Sequence, residues 1–455
     1  MDKAGWNITE KIEPMLTGEE LRKKMEVLPV YDKAIRNENQ AVRLMELNKV
    51  YSFYLPSDMS VEIYTKLYLA MVRSLQKKQG KLAVQQRNLN GKKMRAYANG
   101  MESSFDGIIA NADCFSVIGC SGIGKTTCIS KSIALFGGEK VIEMENPFCK
   151  VIPVINVQCP FDCSSRSMLL AILQKIDTAL GTSYYDMAIK ARSTINMMIV
   201  SVAQILLNHV GVLCIDEIQN LIKHRAGTQL VSMLTELLNE SGISIVFIGT
   251  PEVEPFFESA DYLARRTLGL KYGRCEHGDY FIRFCKRLWE FQYVSNEIEL
   301  EDSVIHWLYE HSAGTVAHVL FLFFTAQEIS ILNGREIIDI QALEFAYQRM
   351  SMLHSHIQPT IQVGKKKVAS KRKKREKDLE VAGCTSEEKR NGQTEKKAVQ
   401  VKKQSETIIV PVNRGAVFDW SFAELAARAK KEEKDIITLL TGRVSIAEVE
   451  VGGVH

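Results

Sequence analysis

Short apolar runs alternate with helix-like stretches through the middle of the chain. The runs are Phe115 to Ile118, Val151 to Val157, Gly211 to Ile215, Ile243 to Gly249 and Thr267 to Tyr272. Between them, Ser167 to Leu180, Ile195 to His209 and Gln229 to Leu238 carry apolar residues at three- and four-residue spacing. Strands alternating with helices in this way predict an α/β fold, a parallel sheet covered on both faces. Upstream, Val50-Tyr51-Ser52-Phe53-Tyr54-Leu55 reads as an aromatic, β-leaning run stopped by Pro56, and Ser57-Asp58 as the cap of a helix from Val61 to Leu75. On that helix Tyr64, Leu67, Tyr68, Met71 and Leu75 form a packing stripe. Residues 1 to about 50 scatter apolar positions among charges, with short helices at Glu19 to Met25 and Ala41 to Leu47 and no core of their own. Lys77 to Arg95, basic and rich in Gln and Asn, predicts an exposed helix or connection. Downstream, Asp279 to about Ser351 reads as a small all-helical unit centred on the apolar stretch Val319 to Phe324.

Composition narrows the class without changing this picture. A chain of 455 residues, 46% hydrophobic, has material for about two to four units with sizeable cores. The net charge of +4 hides an uneven spread: Lys365, Lys366, Lys367, Lys371, Arg372, Lys373, Lys374 and Arg375 crowd one short stretch. A polar run follows to about Glu406, and the whole reads as a flexible linker, either a solvated spacer alone or a spacer that also adds nonspecific DNA affinity. Beyond it, Ile408-Ile409-Val410-Pro411-Val412, Phe418 to Phe422 and a helix near Ala423 to Lys431 look like apolar anchors that order on a partner. The ten cysteines are irregularly spaced, and several sit in apolar runs, as reduced thiols do. Neither Cys159 with Cys163 nor Cys275, His277 and Cys285 has the CxxC spacing of a zinc site, so structural thiols are expected. The first residues lack a secretory apolar region, and no stretch reaches the ~20 apolar residues of a membrane helix. The expectation is a soluble protein that is not exported and has no membrane partner.

Candidate chemistry starts at Gly119-Cys120-Ser121-Gly122-Ile123-Gly124-Lys125-Thr126, which has the GxxxxGK[ST] spacing of a phosphate-binding loop. Glycines let successive backbone N–H groups curl around a polyphosphate, and the following helix points its positive end at the same anion. Lys125 is placed for the β- and γ-phosphates, Thr126 for Mg²⁺, and Thr127 follows in the helix's first turn. Gly211 to Ile215 ends in Asp216 and Glu217, at the tip of a strand expected beside the loop. There Asp216 can hold Mg²⁺ through water and Glu217 can polarise an attacking water. Thr250 stands at the tip of the next strand, facing the γ-phosphate. Leu263-Ala264-Arg265-Arg266 ends in two arginines with no evident partner in their own chain.

Taken in order, the loop, paired carboxylates, strand-tip threonine, arginines and helical lid resemble the AAA+ ATPases over about Asn111 to Met350. The resemblance implies ATP and Mg²⁺ as cofactors, Glu217 as general base, Thr250 as sensor 1, and Arg265 or Arg266 as a finger entering a neighbouring subunit's site. The family's lid arginine is missing: Thr315-Val316-Ala317-His318 stands near its place, and His318 is expected to pack. Within AAA+, Ile215 to Leu221, Phe247 to Glu252 and Leu263 to Arg266 resemble the TnsC/TniB branch of transposition ATPases. That likeness implies self-assembly as a ring or filament on double-stranded DNA, with a transposase and a target-selection protein as partners, in a bacterial cytoplasm. Nonspecific backbone contacts to DNA would fall to Arg166, Lys190, Arg192, Lys223 and Arg225. The implied organisation is an N-terminal extension with room for a partner (1–100), an ATPase core (101–275), a helical lid (276–355), a basic linker (356–406) and a partner-binding tail (407–455). Two rivals share the core. A replication initiator or clamp loader normally adds a DNA-reading or collar domain after the lid, and a signalling or defence scaffold would assemble equally well without DNA.

Overall fold

The computed structural model describes residues 8–350 apart from 102–107, 109–113, 139, 146–147, 224–226 and 256–266. Four helices precede the sheet: α1 (Gly18–Met25), α2 (Gln40–Leu47), α3 (Asp58–Lys78) and α4 (Lys81–Ala98). The α/β region then runs β1 (Cys114–Gly119), α5 (Lys125–Leu135), β2 (Ile142–Glu145), β3 (Phe148–Gln158), α6 (Ser165–Leu180), α7 (Tyr184–Lys190) and α8 (Ile195–His209). It continues through β4 (Val210–Asp216), α9 (Asn220–Lys223), α10 (Gly227–Ser241), β5 (Ser244–Gly249) and β6 (Thr267–Tyr272). In the region expected as the lid, and so named, the helices are α11 (Asp279–Trp289), α12 (Asp302–Ser312), α13 (Val316–Leu332) and α14 (Ile340–Arg349).

The six strands lie in the order β2-β3-β4-β5-β1-β6, with β2 antiparallel to β3 and every other pair parallel. Strands β1, β4 and β5 are buried along their whole length, which is why they read as unbroken apolar runs. Successive side chains of a strand point to opposite faces, and β4 divides accordingly. Its Leu213 and Ile215 join Ile172, Leu206 and Leu234 from α6, α8 and α10, whereas Val212 and Cys214 join Leu67, Met71 and Ile129 from α3 and α5. The α3 stripe is therefore core: Tyr64, Leu67, Met71 and Leu75 are all buried against the sheet. The helix starts at a capping box in which Ser57 and Ser60 satisfy each other's backbone N–H groups.

The first hundred residues serve two cores at once. Leu21 and Met25 of α1 pack on the sheet side, while Leu47, Val50 and Phe53 pack among Phe284, Leu288 and Phe323 of the lid. The chain crosses between the two regions near Val27 and Tyr54, which form a two-way backbone bridge of 2.9 and 2.8 Å. Arg43 fastens the lid side, donating from Nη1 and Nη2 to the two carboxylate oxygens of Glu336 at 2.5 and 2.7 Å.

Three sequence expectations need correction. Val50 to Leu55 is no strand: Asn48–Ser52 is a 3₁₀ turn, and the three-residue step from Val50 to Phe53 puts both into the lid core. A β2–β3 hairpin stands where one strand from Val151 was expected, so β3 starts at Phe148. The Lys77 to Arg95 region is not an exposed connection. Lys78, Gln86, Asn90 and Lys93 are buried, Lys78 donating to the Leu206 carbonyl at 2.6 Å and Lys93 pairing with Glu240 at 2.6 Å. The basic run, the tail, and every residue from 351 onward lie outside the described residues. Among the described residues no single helix is long and apolar enough to cross a membrane.

Candidate functional site

The carboxyl ends of β1, β4 and β5 meet around a cleft of about 240 Å³. It is lined by Ser121, Gly122, Gly124, Lys125, Thr126 and Thr127 of the loop, by Asp216, Glu217 and Gln219 after β4, by Gly249 and Thr250 after β5, and by Ala317 of the lid. Parallel β1, β4 and β5 point the same way, so residues far apart in sequence converge at one edge. Gly119, the last residue of β1, accepts a bond from Lys125 Nζ at 2.7 Å through its carbonyl, and the Cys120 carbonyl accepts another at 2.9 Å. Burial holds the Lys125 ammonium below the usual lysine value, against a smaller upward pull from Asp216. Gly124 caps α5 with φ +95°, a left-handed conformation that leaves the helix's first N–H groups open to the cleft. Gly122 has φ +82°, and a Cβ there would come within 2.9 Å of Thr315 Cγ2, so the loop and the start of α13 pack too closely for any side chain. A backbone bond from Ala317 N to the Gly122 carbonyl, 3.3 Å, joins the same two segments.

Opposite the loop, Thr126 Oγ1 donates to Asp216 Oδ2 at 2.8 Å, and Asp216 is 3% exposed. A hydroxyl and a buried carboxylate facing each other across a phosphate loop are the donor set of a magnesium ion that keeps most of its waters and takes its remaining ligands from phosphates. Glu217 is exposed and left-handed, φ +58°, its backbone N–H held by Asp216 Oδ1 at 2.8 Å. Left-handed backbone at a glutamate costs about 1–3 kcal/mol and clusters at functional sites. Thr250 Oγ1 is buried with no protein partner among the described residues, at the edge of the cleft. The orphan hydroxyl, the open N–H groups and the Thr126–Asp216 pair fit Mg²⁺ and a nucleoside triphosphate.

The structure therefore gathers Gly119, Gly122, Gly124, Lys125, Thr126, Thr127, Asp216, Glu217 and Thr250 at one site. Arg265, Arg266 and Arg225 lie outside the described residues. Of the remaining cations, Arg166 at the start of α6 donates to the Ser193 carbonyl at 3.1 Å, which brings it beside the turn that carries exposed Lys190 and Arg192. Lys223 ends α9. His318 is half-buried, with Nδ1 3.3 Å from the Ser312 carbonyl, and burial lowers its pKa. Two contributors escaped the sequence reading. Gln219 had a signal, its place two residues after the carboxylate pair; Ala317 had one in the turn Thr315 to His318, which the sequence reading marked only for its missing arginine and not for the approach of Ala317 N to the Gly122 carbonyl.

This edge is also where a family match falls, since residues 109–257 match AAA_22, described as an AAA domain. Residues 109–257 carry an AAA domain. No curated protein matches the chain. Among solved structures, the chain is similar to the Aeropyrum pernix ORC1 protein in complex with DNA: TM-score 0.37, 16% identity, 60% of this chain and 66% of that one. It is also similar to domain III of the Thermotoga maritima replication initiation protein DnaA (TM-score 0.32, 16% identity, 59% and 92% covered) and to Drosophila ORC bound to DNA (0.32, 12%, 55% and 64%). The chain thus spans just under two thirds of the Aeropyrum protein, and likeness at these scores carries no argument about activity.

Proposed function

We propose that the protein is an ATP-hydrolysing assembly switch on double-stranded DNA, a regulator of transposition that links target selection to a transposase. The observation that carries the enzymatic part is the convergence of Lys125, Thr126, Asp216, Glu217 and Thr250 on one cleft. Bound Mg-ATP would supply the phosphoanhydride that is cleaved. Lys125, now bonded to the Gly119 and Cys120 carbonyls, would neutralise phosphate charge, and Thr126 with Asp216 would hold the metal, whose charge favours cleavage. Glu217 accepts a proton from water as the water attacks, and Thr250 Oγ1 donates toward the γ-phosphate. The resemblance of Ile215 to Leu221, Phe247 to Glu252 and Leu263 to Arg266 to TnsC/TniB proteins supports the transposition setting. Arg265 or Arg266 of one subunit then completes the next subunit's site, so nucleotide state couples to assembly. Arg166, Lys190, Arg192, Lys223 and Arg225 would meet phosphates without reading sequence, and the bond from Arg166 to the Ser193 carbonyl, next to Arg192 in the chain, supports grouping the first three.

Assembly on DNA is the test. Glu217→Gln, which binds ATP but lacks the base, should persist on duplex DNA after wild type has come apart, as measured by sedimentation and imaging of ATP-loaded protein. Equal persistence of the two proteins would refute the switch. Polymer formed equally well without DNA would refute the DNA part.

A further inference from the structure

Gln219 is the one buried side chain that touches both Glu217 and Thr250 among the described contacts. Its Nε2 donates to Glu217 Oε2, and its Oε1 accepts from the Thr250 backbone N–H at 3.3 Å. A carboxylate only accepts and an N–H only donates, so the amide has one possible orientation and both ends are committed. The surrounding backbone is pinned on each side. Ile218 N donates to the Ile248 carbonyl at 3.0 Å, and Asn220 Nδ2 donates to the Cys159 carbonyl at 3.2 Å. Gly249 makes the room: a Cβ there would stand 2.6 Å from Ile218 Cγ2 and 3.1 Å from Gln219 Oε1. Glu217 itself is exposed on a left-handed backbone, with no other side-chain donor on its carboxylate among the described contacts.

We infer that Gln219 is a positioning residue that couples the β5 tip to the base: a shift of Thr250 toward a bound γ-phosphate passes through the Gln219 amide to the Glu217 carboxylate. The inference rests on the ATPase reading and adds to it the route by which the site registers a triphosphate. A carboxylate freed from this hold samples rotamers that miss the attacking water, and displacement of a reacting group by about 1 Å costs on the order of a hundredfold in rate.

Two variants separate the two bonds. Gln219→Leu removes both, and Gln219→Glu keeps the acceptor for Thr250 but sets a second carboxylate against Glu217. In the full chain, both should bind a fluorescent ATP analogue within about twofold of wild type and lose kcat by about ten- to a hundredfold with KM unchanged. The second readout needs no turnover. Hydrogen exchange should show a nonhydrolysable ATP analogue changing protection at both 216–221 and 248–253 in wild type, but only at 248–253 in Gln219→Leu. An unchanged or raised kcat in Gln219→Leu, or the same exchange response at 216–221 in both proteins, would overturn the inference. The ATPase reading fails separately: wild type that binds the analogue without hydrolysing ATP, or Glu217→Gln with full turnover, would sink it, while the exchange experiment would still decide the coupling.

Discussion

Two polar clusters in this protein look alike on paper and behave differently. One is the cleft of Thr126, Asp216, Glu217, Gln219 and Thr250; the other is the seam where α4 meets α8 and α10. Each contains a buried carboxylate, a lysine and a side-chain oxygen with no partner among the described residues, Thr250 Oγ1 in the first and Glu240 Oε2 in the second. In the cleft, Lys125 is bonded only to carbonyls of its own loop, and Glu217 is held in left-handed backbone. In the seam, Lys93 pairs with Glu240, Asn90 Nδ2 donates to the Glu240 carbonyl at 3.1 Å, and Arg87 Nε donates to Asn208 Oδ1 at 2.9 Å. Strain beside open space marks a place kept for a ligand, whereas charge sealed between helices is part of the scaffold.

The contrast breaks if mutations at the two clusters have the same consequence. The largest effect expected is from Lys125→Ala: nucleotide affinity should fall on the order of a hundredfold, with the melting temperature unchanged, because the lysine makes only two replaceable bonds. Isothermal titration beside a thermal melt reads both. Next is Glu240→Ala, which leaves Lys93 buried and unpaired. It should lower stability by about 3–5 kcal/mol in a denaturant titration while nucleotide affinity per folded molecule stays within twofold. A nucleotide-binding defect there, or a stability defect at Lys125, would erase the distinction. The smallest effect is a slope. Burial, with the like charge of Arg87 beside it, lowers the Lys78 pKa to about 7. The unfolded chain keeps the ordinary lysine value, so between those two pH values it holds the extra proton, and this group adds stability as pH rises. Lys78→Met should therefore flatten the rise of melting temperature between pH 7 and 10, and an unchanged slope would count against the buried, neutral amine.

How much was legible follows the same division. The phosphate loop and the β4 and β5 tips could be read because each site residue is announced by an apolar run directly before it in the chain. Thr126 and Asp216 then meet because parallel strands end together, a rule the pattern itself supplies. The α4 seam could not be read: Gln86, Asn90 and Lys93, like Lys78 at the end of α3, are polar, and the partners that bury Lys78 and Lys93, Leu206 and Glu240, lie 128 and 147 residues further on. The first fifty residues failed for a related reason. Leu21 and Met25 belong to one core and Leu47, Val50 and Phe53 to another, so neither set builds a local pattern strong enough to count as core.

That division has a consequence for how the protein is made. Arg43 meets Glu336 across 293 residues of chain. At ribosomal rates of about 5–20 residues per second, the segment carrying Leu47, Val50 and Phe53 emerges roughly 12 to 55 s before its lid partners Phe284, Leu288 and Phe323 exist. The N-terminal segment spends that interval with its apolar side uncovered beside a sheet that is already assembling. Completion of the fold is thus tied to the end of synthesis of the lid, and a nascent chain stalled before α13 presents an apolar surface for chaperones or proteases to find.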